Sequence, residues 1–311
     1  MLFPVGKVLA LTVSPPVREL SGEPGKTISG VIKLYNETKN DLKVSSLTND
    51  FTAKNGEGGE PSFIPTEQGE EKDLASWIKL PSGSIEVKTL DWQNVAFSID
   101  IPENAEPGGH YAAIFFAPSE EQVGGPGAVG VNYQTGSLVL LTVAGAMNEE
   151  GSIKEFITKA KKVFHDTLPV IFELRIENTG NVHFKPGGYL EIRNMLGQKV
   201  IDKPVLETNS GGNVLPHSIR RYDLFWGDSN EKNWPQGFFD KVKFEWNNFH
   251  LGRYKAIANV ALPLGKTETK VVSFWIFPWQ LLIVVAVILL ALLFMFKQYN
   301  KWIIKKAREG K

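Results

Sequence analysis

Residues 274–296 read FWIFPWQLLIVVAVILLALLFMF, an apolar run with one polar side chain, Gln280. Coiled as a helix at 1.5 Å of rise per residue, such a run is long enough to cross a bilayer core of about 30 Å. A buried helix of a soluble domain is seldom apolar on every face over that length. The run is therefore read as a transmembrane helix over 274–296, with the lipid bilayer as its partner. Trp275 and Trp279 stand at its start and Tyr299 and Trp302 just past its end, where amphipathic rings favour the headgroup layers. Pro278 falls in the first turn, where its missing N–H costs little.

The flanking charges set an expected orientation. Lys297, Lys301, Lys305, Lys306, Arg308 and Lys311 follow the run, whereas only Lys266 and Lys270 stand in the fifteen residues before it. Basic residues stay on the cytoplasmic side, so the tail 297–311 is expected inside and the large N-terminal body outside. Cations just inside a membrane are also drawn to anionic lipid. A tail this short is not expected to hold a signalling domain.

Upstream of the run the chain reads as β. Short alternating stretches recur at Thr27–Tyr35, Val95–Ile101, His110–Phe116, Ser137–Val143, Val170–Ile176 and Tyr254–Ala261. Asn, Gly, Pro and Asp clusters bound them, as turns between strands require. No stretch ahead of the anchor shows a 3.6-residue period. Short strands about ten residues apart without intervening helices predict an all-β fold, two tandem immunoglobulin-like sandwiches followed by one C-terminal transmembrane helix.

Two landmarks suggest that the sandwiches are duplicates. One strand ends in YNETKND around Asn36 and another in ENTGNVH around Asn178, a spacing of 178 − 36 = 142. Glycine-tyrosine strand starts, GGHYAAI and LGRYKAI, place Tyr111 and Tyr254 at a spacing of 254 − 111 = 143. The reading is an Asn that closes a turn and a Tyr that opens a long inner strand, its hydroxyl at the rim. The expected layout is an N-terminal segment 1–11, a first sandwich 12–147, a short polar link at Met147–Ser152 and a second sandwich 152–264. MLFPVGKVLA is short, apolar and interrupted by Lys7, which makes 1–11 a candidate remnant of an export signal.

Composition narrows the function classes. Lys+Arg and Asp+Glu both number 34, so the chain lacks the basic balance of a nucleic-acid binder. The absence of cysteine removes disulfides, thiolate metal sites and a cysteine nucleophile together. With 42% hydrophobic and 22% charged residues, the chain has the material for ordinary cores instead.

Candidate chemistry is sparse. Gly125–Gly130 matches G-x-G-x-x-G but lies between two β stretches and contains Pro126, so it reads as an inter-strand loop rather than a dinucleotide site. His110, His165, His183, His217 and His250 lack ligand spacing. The acidic pairs Glu70–Glu71, Glu120–Glu121 and Glu149–Glu150 sit in polar surroundings unsuited to a paired-carboxylate mechanism. Asp228-Ser229-Asn230-Glu231 lacks the spacing of a twelve-residue calcium loop, and no G-x-S-x-G is present. No catalytic, metal or cofactor residue is therefore assigned, and no enzyme activity or small-molecule cofactor is expected. Trp234, Phe238 and Phe239 read as a loop whose rings could meet a ligand, against core or membrane-proximal packing as the plainer reading.

The pattern TVSPPVRELSGEPGKTISGVIKLYNETKNDLKVSS, followed by DWQNVAFSIDIPENAEPGGHYAAIFF, resembles the first, peptidoglycan-binding-type domain of bacterial WxL-interacting surface proteins. Shared are the Pro-rich start, the Pro-Gly before the first long strand, the Asn ending it and the proline followed by Gly-Gly before a late strand. These cover Thr12–Phe116. That family also continues with a second sandwich, a transmembrane helix and a short basic tail. The resemblance implies a bacterial cell-envelope location and non-covalent binding of cell-wall polymer or another surface protein. The alternatives to that binding role are a membrane-tethered envelope assembly chaperone that pairs an exposed strand edge with clients and, behind it, a wall-glycan hydrolase, which would require convergent carboxylates or a metal in a cleft.

Overall fold

In a computed structural model, residues 11–54, 56–64, 74–118, 134–205 and 212–309 are described, with side chains to 306. They form two compact units. The first comprises Met1–Gly151, Glu177–Phe184 and Gly212–Arg220; the second comprises Ser152–Ile176, Lys185–Gly211 and Arg221–Lys311. The first therefore also takes in two segments from the later part of the chain, beyond the span 12–147.

In the first unit the strands are β1 (Leu11–Ser14), β2 (Val17–Gly22), β3 (Thr27–Asn36), β4 (Leu42–Ala53), β5 (Pro61–Ile64), β6 (Ile78–Lys79), β7 (Ile85–Val87), β8 (Trp92–Asp100), β9 (Gly108–Pro118) and β10 (Thr135–Val143), with a one-turn helix α1 (Leu74–Trp77). One sheet runs β1-β3-β8-β6 and the other β2-β10-β9-β4-β5, with β7 also on β4. Alternation sends Ile32, Leu34, Val44, Ile99, Ile114, Phe116 and Leu141 into one dry core. β1 joins β3 antiparallel while β2 joins β10 in parallel, so the first strand changes sheets part-way.

The second sandwich is built from β11 (Gly151–Thr158), β12 (Phe164–His165), β13 (Val170–Asn178), β14 (Gly187–Arg193), β15 (Lys199–Pro204), β16 (Ser218–Trp226), β17 (Gly252–Ala261) and β18 (Thr267–Ile276). Its sheets are β11-β13-β16 and β12-β18-β17-β14-β15. Again the first edge strand is split, with β12 parallel to β18. The rings of Phe172, Trp226, Tyr254 and Phe274 meet in its core.

Both asparagines of the duplicated motif are fully buried and do the same work. Asn36 Nδ2 donates to the Asn40 and Val87 carbonyls while its Oδ1 accepts from Thr38 N–H. Asn178 Nδ2 donates to the Val182 and Val214 carbonyls while its Oδ1 accepts from Gly180 N–H. The tyrosines do not correspond. Along β9 the core side chains are Ala112, Ile114 and Phe116, and along β17 they are Tyr254, Ala256, Ala258 and Val260. A spacing of 142 thus matches Tyr254 to Ala112, and the extra residue in 143 turns Tyr111 onto the outer face, because strand side chains alternate.

The second sandwich does not stop at 264, and the apolar run is not helical from 274. β18 pairs with β17 through Ile276, and Phe274 and Ile276 are core residues. Hydropathy alone cannot separate a fully apolar strand end from a helix start; Pro278, which supplies no ladder N–H, marks the change. A helix ahead of the anchor is also present, α2 (Gly237–Asn247), and the long helix α3 runs over Trp279–Glu309. The residues 297–309 read as a tail thus continue the helix. Met1–Ala10, Glu70–Glu71, Glu120–Glu121, Gly125–Gly130 and Lys311 lie outside the described residues, as does the side chain of Arg308.

If Phe274 is core rather than lipid-facing, Phe274→Ala should cost about 3–5 kcal/mol of unfolding free energy, whereas Phe277→Ala, at an exposed site, should cost under about 1. Chemical denaturation of the detergent-solubilised chain, followed by near-ultraviolet dichroism, distinguishes the two.

Candidate functional site

Two places gather polar side chains where the fold has buried them. In the second unit, α2 packs beside the start of α3. Glu245, 1% exposed, accepts Leu281 N–H at 2.7 Å, so a sandwich side chain takes one of the amides that the helix's first turn leaves without an internal partner. Next to it Asp166 accepts from Lys241 Nζ at 2.6 Å and from Gln280 Nε2 at 3.3 Å. The one polar residue of the apolar run is thus buried against the sandwich.

Burial raises the pKa of Asp166, but hydrogen bonds from Lys241 and Gln280 outweigh it and hold the group at about 2. Burial raises the Glu245 pKa, only partly offset by the Leu281 N–H. One oxygen each of Glu245 and Gln280 lacks a hydrogen-bond partner. This set is a structural joint; its geometry holds the helix start rather than presenting a reacting group.

The aromatic residues singled out from the sequence divide. Trp234 closes a short loop, its Nε1–H donating to the Asp228 carbonyl at 2.9 Å. The Asp228 carboxylate is consumed there as well, accepting from Asn230 N–H and Asn233 Nδ2–H. Phe238 and Phe239 lie on α2, not in a loop, and Phe238 packs on Trp279 with centroids 6.2 Å apart. Trp275 lies on β18 with its ring stacked on Phe164, while Tyr299 and Trp302 stack on one another towards the far end of α3. Lys306 Nζ sits 4.9 Å from the Trp302 ring centre, and Lys297 and Lys301 are exposed.

The first unit carries a different feature. On the outer face of its second sheet an aromatic row runs from Phe115 through Phe63 and Phe51 to Tyr111, with centroid separations of 4.9, 6.0 and 5.8 Å. The Tyr111 hydroxyl accepts His183 N–H at 3.0 Å and lies 3.1 Å from its Nδ1. Burial raises the tyrosine pKa and lowers that of His183, so both are neutral at pH 7. At the end of this row opens a cleft of about 340 Å³ lined by Thr52, Glu106, His110, Tyr111, Asn181 and His217, among others. His217 holds a left-handed backbone, φ 53°, a strained conformation for a residue other than glycine. Gly109 N–H bonds the Asn181 carbonyl at 2.8 Å and fixes one wall.

Among the described residues no group of three His, Asp or Glu side chains could hold a metal ion. Sequence reasoning missed Asp166, Lys241 and Glu245, and it missed the cleft. Gln280, alone in an apolar run, was the available signal that something polar must meet it.

No protein-family profile matches the chain, and no curated protein does. Among solved structures it is similar to the class 5 fimbriae chaperone CfaA, at 11% identity and a TM-score of 0.39, covering 85% of this chain and 99% of that one. The E. coli chaperone DraB matches at 8% identity and a TM-score of 0.38, over 86% and 97%. The Pseudomonas aeruginosa CupB2 chaperone matches at 8% identity and 0.36, over 84% and 98%.

Glu245 has a folded pKa above its unfolded value, so its stability contribution is present below about pH 4.5 and is lost as pH rises through the folded pKa. Glu245→Gln keeps an acceptor for Leu281 N–H without the buried charge, and should match or exceed the parent's stability at pH 8. Glu245→Ala orphans that amide and should cost about 1–3 kcal/mol. Melting temperatures at pH 5 and pH 8 check both.

Proposed function

We propose that this chain is a single-pass envelope protein, anchored with its sandwiches outside the cell, that binds cell-wall polymer or another surface protein through the outer face of the first unit. The observation that carries the binding reading is the aromatic row ending in the 340 Å³ cleft. Phe63 is exposed and the rings of Phe115 and Tyr111 are half-buried over the buried Phe51, which leaves an apolar strip, and Glu106, His110 and His217 add polar groups at one end. Apolar surface with a few convergent polar groups is what a specific site for a sugar chain or an extended peptide requires.

Anchoring is supported by α3, which over Trp279–Lys306 is long and apolar enough to cross a membrane and is largely unburied. The lysines beyond residue 296 support the outward orientation. The resemblance of Thr12–Phe116 to WxL-interacting surface proteins points to the same location and ligand class.

A second reading, an assembly chaperone, is favoured by one strand edge: among the described residues β6 pairs β8 only at Ser98 and Ile99. An open edge can accept a client strand. It predicts co-purifying β-rich clients that proline substitutions along β8 release.

Purified full-length protein in detergent should sediment with isolated cell walls or a surface-protein fraction. Phe63→Ala combined with His217→Ala should weaken that binding roughly tenfold or more, as loss of buried contact residues does at binding sites. Unchanged binding by a folded double variant sinks the cleft as the site. Survival of the sandwiches in intact cells treated with external protease sinks the orientation.

A further inference from the structure

Helix α2 is packed on one side only. Its inner face supplies Lys241 and Glu245 to the joint with α3, whereas Phe239 is 80% exposed and Trp246 70% exposed on the opposite side. Phe239, Lys243 and Trp246 stand at i, i+4 and i+7 and so share one outward stripe, with Phe249 exposed just beyond the helix. Exposed rings of this size on an isolated helix face call for a partner.

The level of α2 identifies that partner. The first charge after the apolar run is Lys297. A hydrocarbon core of about 30 Å takes roughly 20 residues of helix, which, counted back from Phe296, places its outer boundary near Phe277, about one turn from Trp279–Leu281. Glu245 is bonded to Leu281 N–H and Phe238 packs on Trp279, so α2 lies at that boundary rather than above it. Other exposed rings cluster there. Phe164 stacks on Trp275, and Phe277 N–H bonds the His165 carbonyl, placing β12 beside the same turn. Of the exposed aromatic residues in the described part of the second unit ahead of α3, only Tyr189 stands apart from α2, its C-terminal turn, β12 and the end of β18.

We infer that α2 is an interfacial helix that lies flat in the outer headgroup layer of the bilayer, with Phe239, Trp246 and Phe249 inserted beside the spanning helix and Lys243 at the phosphate level. Aromatic rings with an interleaved cation suit that layer, where rings sit at the acyl boundary and amines meet lipid phosphate. The second sandwich is then held at two points, by α3 through the bilayer and by α2 along its surface. This inference rests on α3 spanning a membrane.

The chain has no cysteine, so single labels are unambiguous. Phe239→Cys, Trp246→Cys, Ile288→Cys in mid-helix and the exposed reference Lys39→Cys would each carry a polarity-sensitive fluorophore in full-length protein. The protein is reconstituted in phosphatidylethanolamine–phosphatidylglycerol vesicles containing acyl-chain spin-labelled lipid. Labels at 239 and 246 should emit to the blue of the label at 39 and be quenched by shallow spin-labelled lipid roughly threefold or more over it, with reduced access to aqueous iodide. Labels at 239 and 246 that behave like 39, while 288 is quenched by lipid, overturn the interfacial helix and leave the anchor standing. Absence of lipid quenching at 288 brings down the anchor and α2's role together. Labels at 239 and 246 shielded from both quenchers show another protein surface on α2 and also overturn the inference.

Discussion

A helix that enters a bilayer begins with amide groups that have no partner within the helix, and lipid offers none. Here a side chain of the folded domain meets part of that need: the Glu245 carboxylate receives Leu281 N–H. Much else at this end of the second unit follows from that contact. It places α2 against α3, it buries Gln280 beside Asp166, and it puts an acidic group at the positive end of the helix dipole. The desolvation of Glu245 is the cost, visible in its raised pKa.

The fold class was legible because strand patterning is a local property. Alternation in stretches such as Val170–Ile176 states which side chains face inward without knowledge of any partner. The asparagine repeat was legible for the same reason, since an Asn that bonds its own i+2 amide and i+4 carbonyl leaves a signature within five residues. The tyrosine pairing misled because strand phase is lost with one residue: Tyr111 and Tyr254 look alike in sequence and point to opposite faces.

What was not legible depends on contacts between distant segments. Glu245 is one acid among many until Leu281, 36 positions away, is placed beside it. Helix α2 was hidden because its aromatics are not confined to one face: Phe238 packs on Trp279 while Phe239 and Trp246 face out, which blurs the period. The end of β18 was misread because a strand buried at its tip and a lipid-facing helix draw on the same residues; Phe274 satisfies either description. The cleft is assembled from β4, the β8–β9 connection and residues near 181 and 217, and no spacing along the chain could announce it.

β18 runs antiparallel to β17 over ten matched residue pairs and turns into α3 after only Phe277 and Pro278. There is no slack between sheet and anchor. Any load that draws the second sandwich away from α3 is therefore applied along the axis of β18, at right angles to its cross-strand bonds, so that the ladder is sheared as a block rather than unzipped pair by pair. The last strand of the sandwich is in this sense a tendon: mechanical strength between sandwich and helix would be set by the β17–β18 ladder and the rings of Phe274 and Tyr254 behind it, not by α3 itself.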